Sequence, residues 1–571
     1  MSCTHKVGEN ICDCESYRDL NKCVLHCGEY SITENIDEYL EEFYKAFEKL
    51  IRLEFFSKFE STLVNLDEEE QEIEDNITKN YISEYDNFLD EIYKSAPHAD
   101  FIKKLNSIQI EVRGLIFPQS TLESFQYNKY HYLFSELWNI KFYECGFHSF
   151  SFDSGVNSQY ISCIFHEKVS MIPFIKDLKE GTYRYTYCHF EKDIVVESSG
   201  EVKEIASNIF QECVFKGGVE LKNLAFTETV FSFPDLESPY RDASAEYLLG
   251  YDEERLYIKS LVIDSCIFSK DFKLNGFNKE YLDNIKKENL DYNPECLIIN
   301  NLEVKNTKFK SKLEIKNRII ENINFNNSNV EKVFDAFGSR FYKSCFYKSI
   351  FEDFAGFEKV EFGLEGQDVE AYQAKFIYTT FMSFSNFRQT KFYSGLDFEN
   401  SNLKEQPNFL KTEISSKNTN RETFRIVKYS FDARGNTLEA NRFFVQEMKA
   451  FKNELKEEGD FWDKLVYNVN DLISEFGRNY IRAITWLIIS LISYTILLYL
   501  HDWYFNNFDY FIWKKLEWIW IFLNDIAKNF LPFSRFLGSK SGFEFISLFF
   551  YIWFGILIWQ IVVSVKRHTQ R

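Results

Sequence analysis

The chain has 571 residues, with 66 basic against 87 acidic side chains and a formal net charge of −21, a length that suggests two to four domains. A hydrophobic share of 45% excludes a disordered chain, and 22 Gly with 8 Pro exclude a collagen-like or low-complexity one. The acidic balance argues against a general nucleic-acid binder, which needs basic phosphate contacts. The composition leaves one surplus to explain, 61 Phe residues.

The first ten residues, MSCTHKVGEN, hold no apolar run behind a basic start, so no secretory leader is expected. The twelve Cys fit a reducing compartment. Residues 1–27 gather Cys3, Cys12, Cys14, Cys23 and Cys27 with His5 and His26. A structural zinc site takes four thiolate or imidazole ligands in a tetrahedron. Cys3, Cys12, Cys23 and His26, spaced C-x8-C-x10-C-x2-H, would close one, with Cys14 and Cys27 as the substitutes. The closing CVLH is similar to the small zinc knuckles found ahead of bacterial repeat proteins, and one structural Zn per chain is the expectation.

From Ile36 to about Lys104 the pattern is helical and acidic. Tyr39, Phe43, Phe47 and Ile51 recur at four, and Leu53, Phe56 and Phe59 at three, which makes an amphipathic face. The charged stretch Asp67 to Asp75 reads as a solvated helix face or loop. Phe117-Pro118 then introduces the middle of the chain.

There, large apolar residues recur every five positions. Phe142, Phe147 and Phe152 begin the series; Ile320, Phe325 and Val330, Phe341, Phe346 and Phe351, and Phe387 and Phe392 continue it. Two residues before the ring there is often a small side chain. Cys145, Cys163, Cys188, Cys213 and Cys266 precede Phe147, Phe165, Phe190, Phe215 and Phe268, and Thr307, Ser349 and Thr390 precede Phe309, Phe351 and Phe392. Period five matches neither a helix at 3.6 nor a strand at 2. It suits a square coil in which every fifth residue turns inward and stacks between coils, with room for only a small residue beside it. The mid-chain Cys are then core fillers rather than nucleophiles.

This pattern, including SNFRQTKFYSGLDFENSNL from Ser385 to Leu403, resembles the pentapeptide-repeat family. The resemblance runs from near Phe142 to Leu403, with breaks at Lys270–Asn300 and Gly363–Tyr372. It implies a mainly β fold, a right-handed quadrilateral β-helix, whose exposed ends need caps.

Past Leu403 the period stops. Glu439 to Glu457 is rich in helix formers, and NTLEANRFFVQEMKAF with SEFGRNYIRAITWL resembles the segment that joins pentapeptide repeats to a two-helix membrane hairpin in some bacterial proteins. Gly477 suits a break before the first span. Ala483 to Leu500 and Ile546 to Val565 carry no charge. At about 1.5 Å per residue they reach roughly 27 and 30 Å, the thickness of a hydrocarbon core. Arg478 and Arg482 flank the first, and Lys566, Arg567 and Arg571 the second, so the positive-inside tendency puts both ends in the cytoplasm. Lys514, Lys515, Lys528, Arg535 and Lys540 in the connecting loop weigh against that orientation. The loop segment Trp513 to Phe530 suits either the outer interface, which is favoured, or a re-entrant pore helix.

The expected organisation is a Cys/His segment at 1–30, a helical cap region at 31–125, the β-helix at 126–410, a helical connector at 411–480 and a two-span transmembrane region at 481–571. No G-x-x-x-x-G-K-[ST], G-x-S-x-G or H-E-x-x-H occurs, and nine His are scattered, so no enzyme is expected. The favoured function is a membrane-anchored scaffold or sensor in an inner membrane, with the bulk of the chain in the cytoplasm. Its partners are the lipid bilayer, a protein and further copies of itself, with no direct nucleic acid. A channel-like effector gated through the β-helix, as in phage defence or a stress response, is the alternative. A DNA-mimicking topoisomerase binder is the third reading.

Overall fold

The computed structural model describes residues 6–7, 10–11, 15, 17–18, 22–27, parts of 38–58, 109–118, 139–148, 158–171, 182–232, 258–276, 298–367, 369–458, 460–506 and 544–569. The chain forms two compact units, Met1–Ile414 and Ser415–Arg571.

The first unit is built of short parallel strands in stacked sheets of 16, 8, 6 and 5 strands, a parallel β-helix-like fold. Its local rule is visible in one coil. Strand Ile140–Tyr143 buries Ile140 and Phe142 by ordinary alternation. Glu144 then adopts a left-handed conformation at φ 53° and turns the chain. Cys145 and Phe147 follow inward, each about 1% exposed. Ser162, Tyr187, Glu212, Ser265, Asn306, Asn327, Lys348 and Tyr378 repeat the left-handed corner, each directly before a small buried residue. The left-handed region is costly for a residue with a Cβ. It is held because the corner N–H donates to the next coil, as from Glu144 to the Ile161 carbonyl at 3.0 Å and from Asn306 to that of Asn326 at 3.0 Å.

Register sets the coil length. Phe165, Phe190 and Phe215 pair directly at steps of 25 residues, whereas Phe309, Val330 and Phe351 pair at steps of 21. From Phe351 to Phe381 the step is 30, because the insertion after Phe362 makes its own antiparallel bridge, Leu364 to Gln367, and a 3-10 turn, Glu370–Tyr372. The expected break at Lys270–Asn300 starts later than the Phe count suggests. Phe272–Lys273 still pairs with Leu313–Glu314, and the remainder lies outside the described residues. The parallel ladder also extends past both ends of the Phe series. Ile110–Arg113 pairs with Ile140–Tyr143, and Glu413–Ile414 with Lys391–Phe392. At those ends Val112 pairs with Phe142 and Ile414 with Phe392, so aliphatic residues stand where the next coil has Phe and a search for Phe alone stops short.

The core consists of ring columns. Phe117, Phe147, Phe165, Phe190 and Phe215 stack at 4.7, 4.9, 4.7 and 5.3 Å with planes within 9°. Phe142, Tyr160, Tyr185, Phe210 and Phe231 form a second column at 5.0–5.4 Å. Across the coil the two columns meet edge to face, as Phe147 does with Tyr160 at 5.6 Å and 78°. Each ring therefore has stacked neighbours along the axis and edges beside it, the two arrangements the ring quadrupole favours. At the N-terminal end Phe43 and Phe47, from the expected amphipathic face, meet Phe117 edge-on at 5.4 and 5.2 Å. The Leu25 carbonyl accepts the Ile116 N–H at 3.0 Å. These contacts cover apolar rings and an edge N–H donor that an open sheet would leave bare.

The second unit is helical: α1 (Arg421–Asp432), α2 (Thr437–Glu458), α3 (Phe461–Ser474), α4 (Tyr480–Asn506) and α5 (Glu544–Thr569). Asn420 caps α1 by accepting from the Thr423 N–H at 2.8 Å, and Asp460 caps α3. Phe431 of α1 stacks on Phe443 of α2 at 5.6 Å. Glu447 of α2, 5% exposed, lies 3.5 Å from Lys428 and 3.9 Å from Arg425 of α1. Both α4 and α5 contain 25-residue stretches long and apolar enough to cross a membrane, Tyr480–Tyr504 and Phe545–Thr569.

Candidate functional site

The expected metal ligands fall on both sides of the described boundary. Cys3 and Cys12, like the substitute Cys14, lie outside the described residues. Cys23 and His26 are described and converge: Cys23 Sγ is 3.0 Å from His26 Nδ1, and both are buried, at 2% and 3% exposure. The neighbouring Cys27 Sγ lies 3.6 Å from both the Val24 carbonyl and the Tyr39 hydroxyl. No group of three or more metal-ligating side chains occurs among the described residues.

The thiols of the coil have a structural task. Cys163 donates to the Phe142 carbonyl one coil back at 3.4 Å and to that of Ile161 at 3.5 Å. Cys188 does the same with Tyr160 and Thr186, at 3.3 and 3.5 Å. Further along, hydroxyls take over: Ser328 donates to Val304 and Asn326, Thr379 to Phe346, and Thr390 to Phe357. The small position is thus a donor position, which satisfies a carbonyl that the corner leaves facing the core. Burial pushes the Cys145, Cys163 and Cys188 thiols well above their ordinary pKa, and Cys266 up to about 12. A thiol so held is not a nucleophile.

The second unit concentrates charge differently. Helices α4 and α5 run antiparallel. Tyr480 meets His568 at 5.6 Å, Ser490 accepts from the Trp553 indole at 2.9 Å, and Tyr494 donates to Ser547 at 3.0 Å. The shared face buries Ala483, Leu487, Leu491, Tyr494, Phe554 and Leu557. The opposite faces expose Ile488, Ile489, Ile496, Phe549, Ile552, Trp559 and Val562, several of them above 50%. Helix α3 adds Phe461, Trp462 and Val466 at 60–67% exposure.

The turn from α3 to α4 is left-handed over three consecutive residues, Glu475 (φ 50°), Phe476 (φ 56°) and Gly477 (φ 81°). The break expected at Gly477 is therefore a turn that begins two residues earlier. Arg567 holds it from α5, donating through Nη1 to the Phe476 carbonyl at 2.5 Å. Its guanidinium also lies 4.3 Å over the Phe444 ring, and its own carbonyl accepts from Asn441 Nδ2 at 3.0 Å. A Cβ at Gly477 would stand 3.0 Å from Arg567 Nη1, so glycine permits the approach.

Around this turn lies a cavity of about 240 Å³ lined by Arg442, Arg478, Arg567 and His568, with Glu439 the one carboxylate among the described residues. Glu439 is 3.4 Å from Arg442. The sequence reading used Arg478 and Arg567 only as flanks that set orientation and did not connect Arg442 or His568 with them. No spacing could have done so, because residues 442 and 567 meet only when α5 folds back along α4 and α2. Comparison of the chain with protein-family models, with curated proteins and with solved structures finds no match in any of the three.

Proposed function

We propose that the chain is a membrane-anchored, non-enzymatic interaction scaffold or sensor of the pentapeptide-repeat type. Its β-helix stays in the cytoplasm and its C-terminal helical pair is inserted in an inner membrane. The observation that carries this reading is the α4–α5 pair, bound face to face by apolar side chains and two interhelical hydrogen bonds while its outer faces expose large aliphatic and aromatic residues. In water such a surface is an aggregation liability, and in a bilayer it is a solvated one. The exposed Phe461, Trp462 and Val466 of α3 suit an interfacial helix.

The repeat type is supported by the 21-residue step from Phe309 through Val330 to Phe351, which fits four five-residue faces plus one residue. Right-handed winding follows the usual preference for parallel crossovers. The bilayer, a protein bound along the coil and further copies of the chain are the proposed partners. One Zn at the N-terminus is proposed on the convergence of Cys23 and His26, with Cys3 and Cys12 completing the set.

Alkaline carbonate extraction of membranes tests the anchor: the chain should remain in the pellet, and release into the supernatant sinks the reading. Protease protection of the two termini in sealed inverted vesicles reads the orientation. Ion flux through proteoliposomes would reassign the helical pair to a channel, which requires several copies because two helices cannot enclose a pore.

A further inference from the structure

The cavity at the α3–α4 turn has a neighbour. A second cavity, of about 380 Å³, is walled by Phe444, Met448, Val466, Tyr467, Trp559 and Val563, with Asn470 and Gln560 as further lining. The two cavities share Phe476 and Arg567 as lining residues. A compartment that carries Arg442, Arg478 and His568 beside Leu438 and Val445 thus adjoins, across one residue pair, a second whose walls carry no other charge than that of Arg567.

Their depth is also informative. The uncharged stretch of α5 ends at Val565, and that of α4 begins at Ala483. Arg478, Arg567 and His568 therefore sit within about a turn or two of the apolar boundary, the level of phospholipid head groups if the pair spans a bilayer. Arg478 and His568 are exposed, and Arg478 has no carboxylate within ion-pair distance among the described residues. Arg567 spends one donor on the Phe476 carbonyl, and a guanidinium carries five N–H groups. On the apolar side Trp559 and Val466 are 65% and 60% exposed, so that compartment opens outward rather than into the helical core.

We propose that the two cavities form one site for a single acidic phospholipid. The phosphate is bound by Arg478, Arg567 and His568, and the first part of an acyl chain lies against Phe444, Met448 and Val563. A free phosphate ion would account for the basic groups alone; the aliphatic and aromatic walls of the adjoining cavity, Phe444, Met448, Val466, Trp559 and Val563, select an amphiphile. Basic pockets between membrane helices on the cytoplasmic side are suited to phosphate head groups. The proposal rests on the membrane reading above and deepens it by naming a lipid class.

The test uses the purified full-length chain in detergent, titrated with dihexanoyl phosphatidylglycerol, dihexanoyl phosphatidylcholine or inorganic phosphate while thermal unfolding is followed. Phosphatidylglycerol should raise the midpoint saturably, and neither comparison compound should match it at equal concentration. Arg478→Glu should weaken the effect about tenfold, the scale of losing one charge-assisted contact, and His568→Gln should weaken it less. Lys566→Glu, an exposed charge change beside Arg567 but outside both cavities, should leave it unchanged. Equal response to phosphatidylcholine, equal response to inorganic phosphate, or equal weakening by Lys566→Glu would each overturn the proposal. Carbonate extraction is scored separately. A chain that stays in the membrane but shows no acidic-lipid preference loses this inference alone. A chain that leaves the membrane loses the anchor, while the detergent titration still reads the cavities.

Discussion

Trp553 donates its indole N–H to the hydroxyl of Ser490 at 2.9 Å, and Ser490 in turn donates to the Trp486 carbonyl one turn back in its own helix. The relay joins α5 to α4 where nearly every other contact is apolar. With Tyr494 and Ser547 it fixes the register of two helices whose oily surfaces would otherwise slide. Interhelical hydrogen bonds in apolar surroundings contribute about 0.6–2 kcal/mol. Ser490→Ala should therefore lower the unfolding free energy of the helical pair by that amount and leave membrane retention intact, as read by thermal unfolding in detergent beside carbonate extraction.

Phe165 sits at the centre of the first ring column, stacked on Phe147 at 4.9 Å and Phe190 at 4.7 Å and fully buried. Phe165→Ala should destabilise the β unit by about 3–5 kcal/mol, since both neighbours lose a face and the coil cannot collapse axially. The measurement is chemical denaturation of the full chain followed by circular dichroism near 218 nm, and an unchanged midpoint would show that the columns do not carry the stability.

The coil thiols should resist alkylation. Burial raises the pKa values of Cys145, Cys163 and Cys188, and that of Cys266 to about 12, so iodoacetamide at pH 8 should modify none of them in the folded chain and all of them in denaturant. Cys188→Ser should cost no more than about 1 kcal/mol, since a hydroxyl makes the same donation at Ser328. Mass mapping of the labelled peptides decides the first point, and the denaturation midpoint of Cys188→Ser the second.

Glu314 is nearly buried and should give the β unit a specific acid sensitivity. Burial alone would raise its pKa. The hydrogen bonds from Lys312 and Asn275 and the charges of Lys316 and Lys312 outweigh burial and hold the carboxyl at about 2, below the ordinary 4.5. The folded state thus keeps it ionised where the unfolded chain would already be protonated. Its contribution is complete above about pH 4.5 and is lost as the pH falls towards 2. Unfolding of Glu314→Gln across this range should be flatter than that of the parent; identical slopes would remove the assignment.

Corner residues offer a route to stabilisation. Asn327 donates to the Asn306 side chain at 2.9 Å, and Asn306 to Asp264 at 3.3 Å, so an amide ladder climbs successive corners and stops at Lys348. Asn tolerates the left-handed conformation better than Lys does. Lys348→Asn should extend the ladder and raise stability by about 0.5–1.5 kcal/mol, the net value of one hydrogen bond, visible as a higher denaturation midpoint.

Much of the β unit was legible because its rule is local. A buried ring, a turn and a small donor recur at short spacing, and a reader of Phe142, Cys145 and Phe147 already has the coil's inward face. The two apolar helices were legible for a similar reason: a run without charge announces itself. The coil ends escaped, because Val112 and Ile414 stand there in register with Phe142 and Phe392 and break the Phe series. So did the separate helices α1 and α3, because the sequence over 411–480 reads only as a helical connector.

By itself the sequence determined the periodic parts, where each residue's environment follows from neighbours a few positions away. Tertiary structure alone decided which distant side chains converge. Arg442 lies on α2, Arg478 in the α3–α4 turn and Arg567 on α5, and only the antiparallel return of α5 brings the last of them to the Phe476 carbonyl. Local propensity contains no term for that meeting, which depends on packing geometry between helices far apart along the chain.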